Sequence, residues 1–385
     1  MLVSIYRLPN VFYIYQTKEL IMKVKSPSKL ELNKVISFLN SQLRSEVNWS
    51  MDKEYPIAFS GFNINNIKFI EDEGKILSHA LLKYLMIKTP AGIFKTAIIG
   101  SVVTDKDHQR KGLAKKLVEE LIAKATADKC DICLLWSDLD KFYTDLGFEL
   151  AGSEEHVQIK SKPTPVIINP DYKFSDDPKI NAEPIQKLFS KHLVGSLRSN
   201  KEINSYLKIP KSNVFSLWSK TNELLAYAIQ GRGVDLKNVI HEWGGGVEHL
   251  TQLFSHILKK QNTIEVITSS TAINLVKNLK DTFDAKHTTR TLGYIKILNL
   301  QSIHSKILRW ARVQGEYHLQ TFNQGNEIFI RYKSKNYQLP NEQALTRLVW
   351  GPINPDILNN IDDELKASLL AVFPLPLWVW GWDIA

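Results

Sequence analysis

In the first third of the chain the hydrophobic residues form apolar runs and one amphipathic segment. Two neighbouring apolar runs, 77–88 and 93–104, predict a pair of long strands. The chain then turns polar over 105–108, and from about Gly112 the apolar residues recur at helical spacing. The apolar face of this predicted helix consists of Leu113, Leu117 and Leu121, with Val118 and Ile122 beside them.

A second set of short elements follows this helix. The apolar run 130–136 predicts a buried strand, and residues 139–146 predict a brief helix that ends at Gly147. Residues 148–150 then begin a new strand. The order strand, strand, helix, strand, helix, strand is typical of an α/β or α+β domain.

The turn between the second strand and the long helix has the properties of a phosphate-binding loop. A helix N-terminus presents unpaired backbone N–H groups and the positive end of the helix dipole. Gly112 lacks a Cβ where the backbone would approach phosphates, and the small Ala114 keeps the first turn open. The predicted pyrophosphate site consists of Gln109, Arg110, Lys111, Gly112, Leu113, Ala114 and Lys115.

The spacing Gln/Arg-x-x-Gly-x-Gly/Ala over residues 109–114 resembles the acyl-CoA pyrophosphate loop of the GCN5-related N-acetyltransferases, the GNAT family. Residues 142–149, in which Tyr143 precedes Gly147 and Phe148, resemble the second signature of that family. The two motifs stand in the family's order. For residues 22–155 the resemblance implies the GNAT fold, with a mixed and largely antiparallel sheet, and acetyl-CoA as cosubstrate without a metal.

The same resemblance implies roles for single residues. In the family, the strand before the loop splays away from its neighbour and a backbone N–H meets the thioester oxygen; Val102, Val103 and Thr104 occupy those positions. Tyr143 matches the usual general acid, because a phenol can protonate a departing thiolate of slightly lower pKa. The alternative is that Tyr143 is a core aromatic residue. The general base is left open among Asp138, which we take with Tyr143 as a candidate catalytic residue, Asp140, His79, Glu73 and a chain of water molecules.

The element order repeats beyond a proline-rich segment, 161–184, which predicts a linker. The predicted elements are strands 214–218 and 224–229 as a hairpin, strand 238–243 before three glycines, helix 247–260, strand 264–268, helix 272–279 and strand 294–298. This order predicts a second, degenerate GNAT-like unit over 185–300. It lacks both motifs, so its Gly244-Gly245-Gly246 run is interpreted as a tight turn rather than a phosphate site. His241 and Glu242 are adjacent in a strand and therefore point to opposite faces, so without a bulge they cannot share one site, although one of them could line the acceptor cleft.

Residues 301–385 predict a small α+β segment, with a helix at 300–312, a hairpin of 317–322 and 327–332, and a helix at 342–349. After two GNAT-like units, this pattern resembles a shortened form of the sterol-carrier-like tail of the enhanced-intracellular-survival type of acetyltransferase. The chain ends in a stripe, Trp378, Trp380 and Trp382, that must be buried. In that type of enzyme the terminal carboxylate lies in the active site. Here an extended tail could bring Asp383 or the Ala385 carboxylate into the N-terminal cleft, or could instead only complete the core of the third segment.

The length of the chain and its cysteines add expectations about domains and location. At 385 residues, two or three domains are expected: an acetyltransferase domain at 1–160, the linker at 161–184, the second unit at 185–300 and the small segment at 301–385. The apolar N-terminus is interrupted by Arg7 and Pro9, which favours a strand or hairpin over a signal peptide. Cys130 and Cys133 lie three apart in one predicted strand and point to opposite faces, which disfavours a disulfide or a metal site. A reducing, cytoplasmic location is therefore expected.

The net charge of +9 is concentrated in residues 156–385, where Lys and Arg outnumber Asp and Glu by 28 to 20. These basic residues are scattered, without a basic helix or a repeated aromatic platform. The pattern favours a solvated surface over nucleic-acid binding. No apolar run approaches the length of a membrane span, so no membrane partner is expected.

The first functional hypothesis is transfer of an acetyl group from acetyl-CoA to a primary amine by direct attack in a ternary complex, with Tyr143 as general acid. The alternative is a regulatory protein that binds acetyl-CoA without transferring it. A third is aminoacyl transfer in the manner of peptidoglycan-branching enzymes. The expected acceptor is an amine-bearing small molecule or peptide. Its identity, the acyl-chain preference and the oligomeric state stay open.

Overall fold

The structure is a computed structural model that describes residues 23–163, 166–177, 179–353, 357 and 361–385. The predicted N-terminal strand or hairpin lies outside these residues. The strands in chain order are β1 Ile67–Asp72, β2 Lys75–Thr89, β3 Gly92–Thr104, β4 Ile132–Leu135, β5 Glu149–Ala151, β6 Glu154–Lys160, β7 Lys173–Ser175, β8 Gly195–Ser196, β9 Asn213–Trp218, β10 Leu224–Gln230, β11 Val239–Gly245, β12 Ile264–Ser269, β13 Asp284–Arg290, β14 Gly293–Ile297, β15 Leu319–Gln324, β16 Glu327–Tyr332 and β17 Lys335–Leu339. The helices are α1 Leu32–Leu43, α2 Met51–Glu54, α3 Leu113–Ala127, α4 Asp140–Thr144, α5 Ala182–Phe189, α6 Asn200–Tyr206, α7 Val247–Leu258, α8 Ile273–Thr282, α9 Leu300–Val313, α10 Glu342–Trp350 and α11 Asp363–Val372.

The first sheet has the strand order β1-β2-β3-β4-β14-β5, with β8 added to the far end of β2. Its strands are antiparallel except for the pair β3–β4, which is parallel because α3 crosses over between the two strands. The apolar face of α3, including Leu117 and Leu121, packs on this sheet. The predicted mixed, largely antiparallel sheet is confirmed.

The second sheet has the order β13-β6-β12-β11-β10-β9-β7. The predicted hairpin is confirmed as β9 and β10. The antiparallel strands β9, β10 and β11, followed by α7 and by β12 parallel to β11, repeat the arrangement of β1, β2, β3, α3 and β4. This repetition is the structural counterpart of the second GNAT-like unit that the sequence predicts.

The two sheets exchange strands. Strand β14, predicted as the last strand of the second unit, lies in the first sheet between β4 and β5, so that assignment was wrong. In turn β6, which follows the first unit in the chain, lies in the second sheet between β12 and β13. An apolar run predicts that a strand is buried but carries no information on which strand it pairs with. Within the predicted linker, β7 pairs with β9 at the edge of the second sheet.

The third segment contains an antiparallel sheet, β15-β16-β17, with α9 against β15. Strand β17 and helix α11 were not predicted. The chain then runs extended to its end, and the three tail tryptophans, Trp378, Trp380 and Trp382, are at most 1% exposed, which confirms that they are buried. Trp378 and Trp380 join the core shared by the two sheets, whereas Trp382 stacks on Tyr206 with ring centroids 5.5 Å apart. Among the described residues, none of the helices has the length and apolar character that a membrane crossing requires.

Candidate active site

A cleft opens in the first sheet where β3 and β4 separate. The two strands pair only from Thr96 to Ile98 and from Ile132 to Leu134, and beyond these residues they diverge. A cavity of about 900 Å³ lies at this divergence. It is lined by Leu43, Arg44, Met51, Tyr55, Ile99, Gly100, Ser101, Val102, Val103, Thr104, His108, Gln109, Arg110, Gly112, Leu113, Ala114, Lys115, Leu135, Trp136, Ser137, Leu139, Phe142, Tyr143, Asp235, Ile384 and Ala385.

The predicted phosphate loop forms one end of this cavity. Asp105 accepts hydrogen bonds from the Asp107 N–H (3.2 Å) and from the His108 ring (3.0 Å), which closes a short 3₁₀ turn. The hydrogen bond from His108, followed by that from Lys75, lowers the pKa of Asp105 to about 2. Gly112, at φ +77°, is the N-cap of α3, and none of the described side chains caps the helix there. The first N–H groups of α3 therefore face the cavity without a side-chain acceptor.

Most of the sequence-predicted binding residues meet at this cavity. Those that line it are Val102, Val103, Thr104, Gln109, Arg110, Gly112, Leu113, Ala114 and Lys115. Lys111 is not among the lining residues, and its Nζ donates instead to the Asp107 carbonyl at 3.1 Å. Asp138 is exposed and also absent from the lining, although Ser137 and Leu139 on either side of it belong to it.

Strand β3 carries a β-bulge beside the cleft. In the β2–β3 register His79 pairs with Val103 but Leu81 pairs with Gly100, so β3 has one residue more than β2 between these pairs. Ser101 in the bulge has φ +50°, a left-handed conformation that is uncommon for a residue other than glycine. The residues of β3 that follow the bulge lie beyond the stretch paired with β4, and their free edge faces the cavity.

Tyr143 on α4 also lines the cavity. Its ring is 4% exposed and packs against Phe148 and Tyr294, with centroids 5.9 Å and 5.8 Å away. Burial raises the pKa of Tyr143, although a hydrogen bond with Ser137 opposes the shift. The phenol is therefore protonated at neutral pH, which is the state that a general acid needs.

The carboxyl terminus of the chain also enters the cavity, since Ile384 and Ala385 belong to its lining. The last residue lies directly against Gly100 of β3, where an added Cβ would collide with the Ala385 backbone. The sequence left open whether the tail enters the N-terminal cleft or only completes the core of the third segment. The structure shows that the end of the tail lies in the N-terminal cleft.

Buried cations hold the tail in this position. Arg198 binds the Asp383 carboxylate through Nε (3.0 Å) and Nη2 (2.6 Å), and the Ser196 hydroxyl donates to it at 2.6 Å. Lys83 donates from Nζ to the Asp383 carbonyl (2.8 Å), and Arg232 contacts the Ile384 carbonyl at 3.4 Å. Lys83 belongs to the first sheet, whereas Arg198 and Arg232 lie between residues 185 and 300, so both units position the end of the chain.

The anchoring cluster also includes Glu242 of β11. Arg198 also binds Glu242 through two hydrogen bonds of 2.8 and 3.1 Å, so one guanidinium serves two buried carboxylates. Burial raises the pKa of Glu242 to about 7 against the opposing charge of Arg198. Burial likewise lowers the pKa of Lys83 to about 7, although Asp383 opposes this shift. The β10–β11 register has a bulge that leaves His241 without a pairing partner, so strict alternation does not hold there. The His241 ring lies against Gly381 of the tail, and its Nε2 lies 3.0 Å from the Gly231 carbonyl oxygen.

Replacing Arg198 should destabilise the fold strongly. Arg198→Met leaves the Asp383 and Glu242 carboxylates buried without their counter-charge, which we expect to lower the free energy of unfolding by about 3–5 kcal/mol. Urea denaturation measures this loss. Arg312→Met, at an exposed arginine of α9, is the control and should change the same quantity by less than about 0.5 kcal/mol. Equal stability of the two variants would contradict an anchoring role for Arg198.

One wall of the cavity contains residues that no sequence motif connects. Asp235, from the second unit, accepts hydrogen bonds from the Tyr55 hydroxyl and from Arg44 Nη2, the latter at 2.8 Å. Arg44 is also paired with the buried Glu54, at 2.6 Å from its Nε. Burial raises the pKa of Tyr55 to about 12, so its hydroxyl donates at neutral pH. Sequence reasoning missed this wall because its members are far apart in the chain.

The described residues contain no group of three or more His, Cys, Asp or Glu side chains that could hold a metal ion. Cys130 and Cys133 are free and buried. Burial raises the pKa of the Cys130 thiol to about 11.

Comparison with known proteins relates the N-terminal part of the chain to a family. Residues 29–151 match the family model of the acetyltransferase (GNAT) domain. Curated protein sequences show no match to the chain. Among solved structures, a conserved protein of unknown function from Enterococcus faecalis V583, described as a probable N-acyltransferase, is similar with a TM-score of 0.64 and 13% identity, over 93% of this chain and 99% of that one.

Two further solved structures show the same similarity in fold. A GCN5-related N-acetyltransferase from Anabaena variabilis has a TM-score of 0.62 and 15% identity over 94% of this chain and 100% of its own. Eis1 from Mycobacterium abscessus has a TM-score of 0.61 and 10% identity over 93% of this chain and 99% of its own. The coverage of 93–94% of this chain shows that the similarity in fold extends well beyond residues 29–151. Residues 29–151 therefore form a domain that matches the GNAT acetyltransferase family, and the chain shares the fold of these solved structures.

Proposed function

We propose that this enzyme transfers the acetyl group of acetyl-CoA to a primary amine by direct attack in a ternary complex. The observation that carries the proposal is that one cavity contains the start of α3, the free edge of β3, the Tyr143 side chain and the end of the chain. Each of these groups corresponds to one requirement of acyl transfer: phosphate binding, polarisation of the thioester, protonation of the thiolate and removal of the amine proton.

Acetyl-CoA binding is assigned to the phosphate loop and β3. The pyrophosphate would accept hydrogen bonds from the N–H groups around Gly112, favoured by the positive end of the α3 dipole. The pantetheine arm would follow the edge of β3 at Val102, Val103 and Thr104. In this arrangement the thioester comes to lie between the bulge and Tyr143.

The chemical step forms one C–N bond and breaks one C–S bond. The neutral amine attacks the thioester carbonyl carbon, the tetrahedral intermediate collapses, and the CoA thiolate leaves with a proton from the Tyr143 hydroxyl. Tyr143 is then reprotonated from solvent. The nitrogen loses its surplus proton to a general base, so that the products are an amide and the free CoA thiol.

The structure favours the terminal carboxylate as this general base. Of the candidates taken from the sequence, Asp138, Asp140, His79 and Glu73 are all absent from the cavity lining. Asp140 instead accepts a hydrogen bond from the Tyr294 hydroxyl at 3.0 Å. The carboxylates at the cavity belong to Asp235, already paired with Arg44 and Tyr55, and to Ala385. We therefore assign proton acceptance to Ala385, and an amine that arrives as a cation would be attracted by both carboxylates.

Release of CoA thiol from acetyl-CoA tests the proposed function. Purified protein should release free thiol only in the presence of an amine, and mass spectrometry of the product should show the added acetyl group. A panel of polyamines, small amine metabolites, peptide N-termini and lysine peptides would then define the acceptor. Absence of amine-dependent thiol release across the whole panel, with acetyl-CoA bound, would contradict amine acetylation.

Substitution of Tyr143 separates catalysis from binding. Tyr143→Phe is expected to lower turnover at least about tenfold with little change in acetyl-CoA affinity, because the hydroxyl acts only as the thiolate leaves. Steady-state kinetics and calorimetric titration measure the two quantities. Tyr294→Phe is the matched control, since it removes a hydroxyl from the neighbouring ring that does not line the cavity. Wild-type turnover in Tyr143→Phe would reduce Tyr143 to a packing residue.

A further inference from the structure

We propose that His79 is a positioning residue that holds the Ser101–Val102 peptide so that the Val102 N–H faces the thioester carbonyl of acetyl-CoA. The inference rests on the proposed acetyl transfer and assigns a role to a residue that does not itself line the cavity. The unexplained observation behind it is a buried histidine in an otherwise apolar part of the core.

His79 binds the bulge directly. Its Nδ1 lies 2.8 Å from the carbonyl oxygen of Ser101, the residue with φ +50°. Burial lowers the pKa of His79 to about 4, so the ring is neutral at neutral pH and carries one proton. Since a carbonyl oxygen can only accept, this proton lies on Nδ1 and is donated to Ser101.

The bond to the Ser101 carbonyl also sets the direction of the next N–H. In a trans peptide the C=O and N–H groups point in opposite directions. With the Ser101 oxygen turned towards His79, the Val102 N–H points away from His79. Neither Ser101 nor Val102 has a partner in the β2–β3 register, and both residues line the cavity. A single rotation of this peptide would remove the N–H from the position that polarises the thioester.

The surroundings of His79 give no other reason for a histidine. The side chain is 0% exposed, its ring stacks on Phe59 with a centroid distance of 6.3 Å, and its Nε2 has no partner among the described residues. A buried polar atom without a partner costs free energy, which an aliphatic side chain would avoid. Among the described residues, the hydrogen bond to Ser101 is the one polar contact of the His79 ring, and it ends on the residue of the bulge with the left-handed conformation. The left-handed conformation of Ser101 is itself unfavourable and needs such support.

Two substitutions at the same position test this role. His79→Leu removes the donor, whereas His79→Asn keeps an N–H close to the place of Nδ1. We expect His79→Leu to lower kcat at least about tenfold, because a preorganised N–H donor to a developing oxyanion contributes a factor of about 100 or more. Affinity for CoA, which has no thioester carbonyl, should stay within about twofold in both variants. His79→Asn should recover most of kcat. Ile76→Val, in the core cluster that contains the Phe59 ring stacked on His79, should leave kcat unchanged.

The infrared band of acetyl-CoA labelled with ¹³C at the thioester carbonyl provides a readout that needs no amine. Binding to the wild-type protein should shift this band to lower frequency, His79→Asn should retain the shift, and His79→Leu should lose it. Retention of the shift in a folded His79→Leu variant, or equal loss of kcat in the Leu and Asn variants, would overturn the proposal. If no amine is acetylated but the shift depends on His79, the proposed acceptor chemistry fails while the role of His79 stands.

Discussion

Removal of Ile384 and Ala385 is expected to lower the rate of amine acetylation by about 100-fold or more while acetyl-CoA still binds. The truncation removes the carboxylate that lies against Gly100 in the cavity, and loss of a general base typically costs a factor of about 100 to 10,000. It leaves Asp383 in its contacts with Arg198 and Ser196 and leaves the tail tryptophans buried. The fold and the phosphate loop should therefore be intact, as circular dichroism and calorimetric titration would show.

Two single substitutions distinguish the carboxylate from the mere presence of the tail. Ala385→Gly keeps the terminal carboxylate and should retain wild-type turnover. Gly100→Ala keeps the tail sequence but places a methyl group where the Ala385 backbone lies, and Gly100 itself has a backbone conformation that alanine can adopt. It should therefore displace the terminus and reduce turnover as the truncation does. A truncated protein that folds and acetylates at the full rate would exclude the terminal carboxylate as the base.

Gly112→Glu is expected to abolish acetyl-CoA binding, with the dissociation constant raised by about 100-fold or more. No heavy atom lies within 4 Å of a Cβ added at Gly112, so the loss would not come from a clash inside the protein. It would come from a negative charge beside the phosphates and from the positive φ of +77°, which disfavours a glutamate. Calorimetric titration with acetyl-CoA measures the change.

Gly112→Asn is the matched control for this effect. Asparagine is neutral and tolerates a left-handed backbone better than other residues, so binding should weaken much less than in the glutamate variant. Equal affinity of the Glu variant and the wild type would show that the phosphates bind elsewhere.

The same titration of the wild-type protein should give one acetyl-CoA per chain. In the second unit the glycines before α7 do not form an open loop, since Gly244 and Gly245 belong to β11. An added Cβ at Gly244 would meet the Tyr227 ring, and one at Gly245 would meet the backbone of Leu225 and Ala226. These two glycines allow close packing and are not the tight turn that the sequence suggested. Two binding sites per chain would contradict this interpretation.

The sequence predicts well those elements whose characteristic residues lie within one short stretch of the chain. The loop 109–114 and Tyr143 lie within one contiguous segment, so their placement around one cavity follows from the order of the strands and helices that carry them. The buried tail could also be predicted, because three alternating tryptophans at a chain end cannot stay in water. Strand β13 was missed because its residues are mostly exposed and polar, so the periodic apolar signal of a strand is absent.

By itself, the sequence determined the element order of the first half, the position of the phosphate loop and the repeated element order of the second half, since hydrophobic period and turn chemistry act over a few residues. The acetyltransferase fold was implied by the resemblance of two short motifs to the GNAT family. Only the tertiary structure decided that β6 and β14 exchange sheets, that Asp235 pairs with Tyr55 and Arg44, and that Arg198 and Lys83 bring the chain terminus to Gly100. These contacts join residues up to 300 positions apart. Their partners are selected by burial, charge pairing and shape in the folded chain. Residues that meet in this way have no fixed spacing in the sequence, so no sequence pattern indicates the contact.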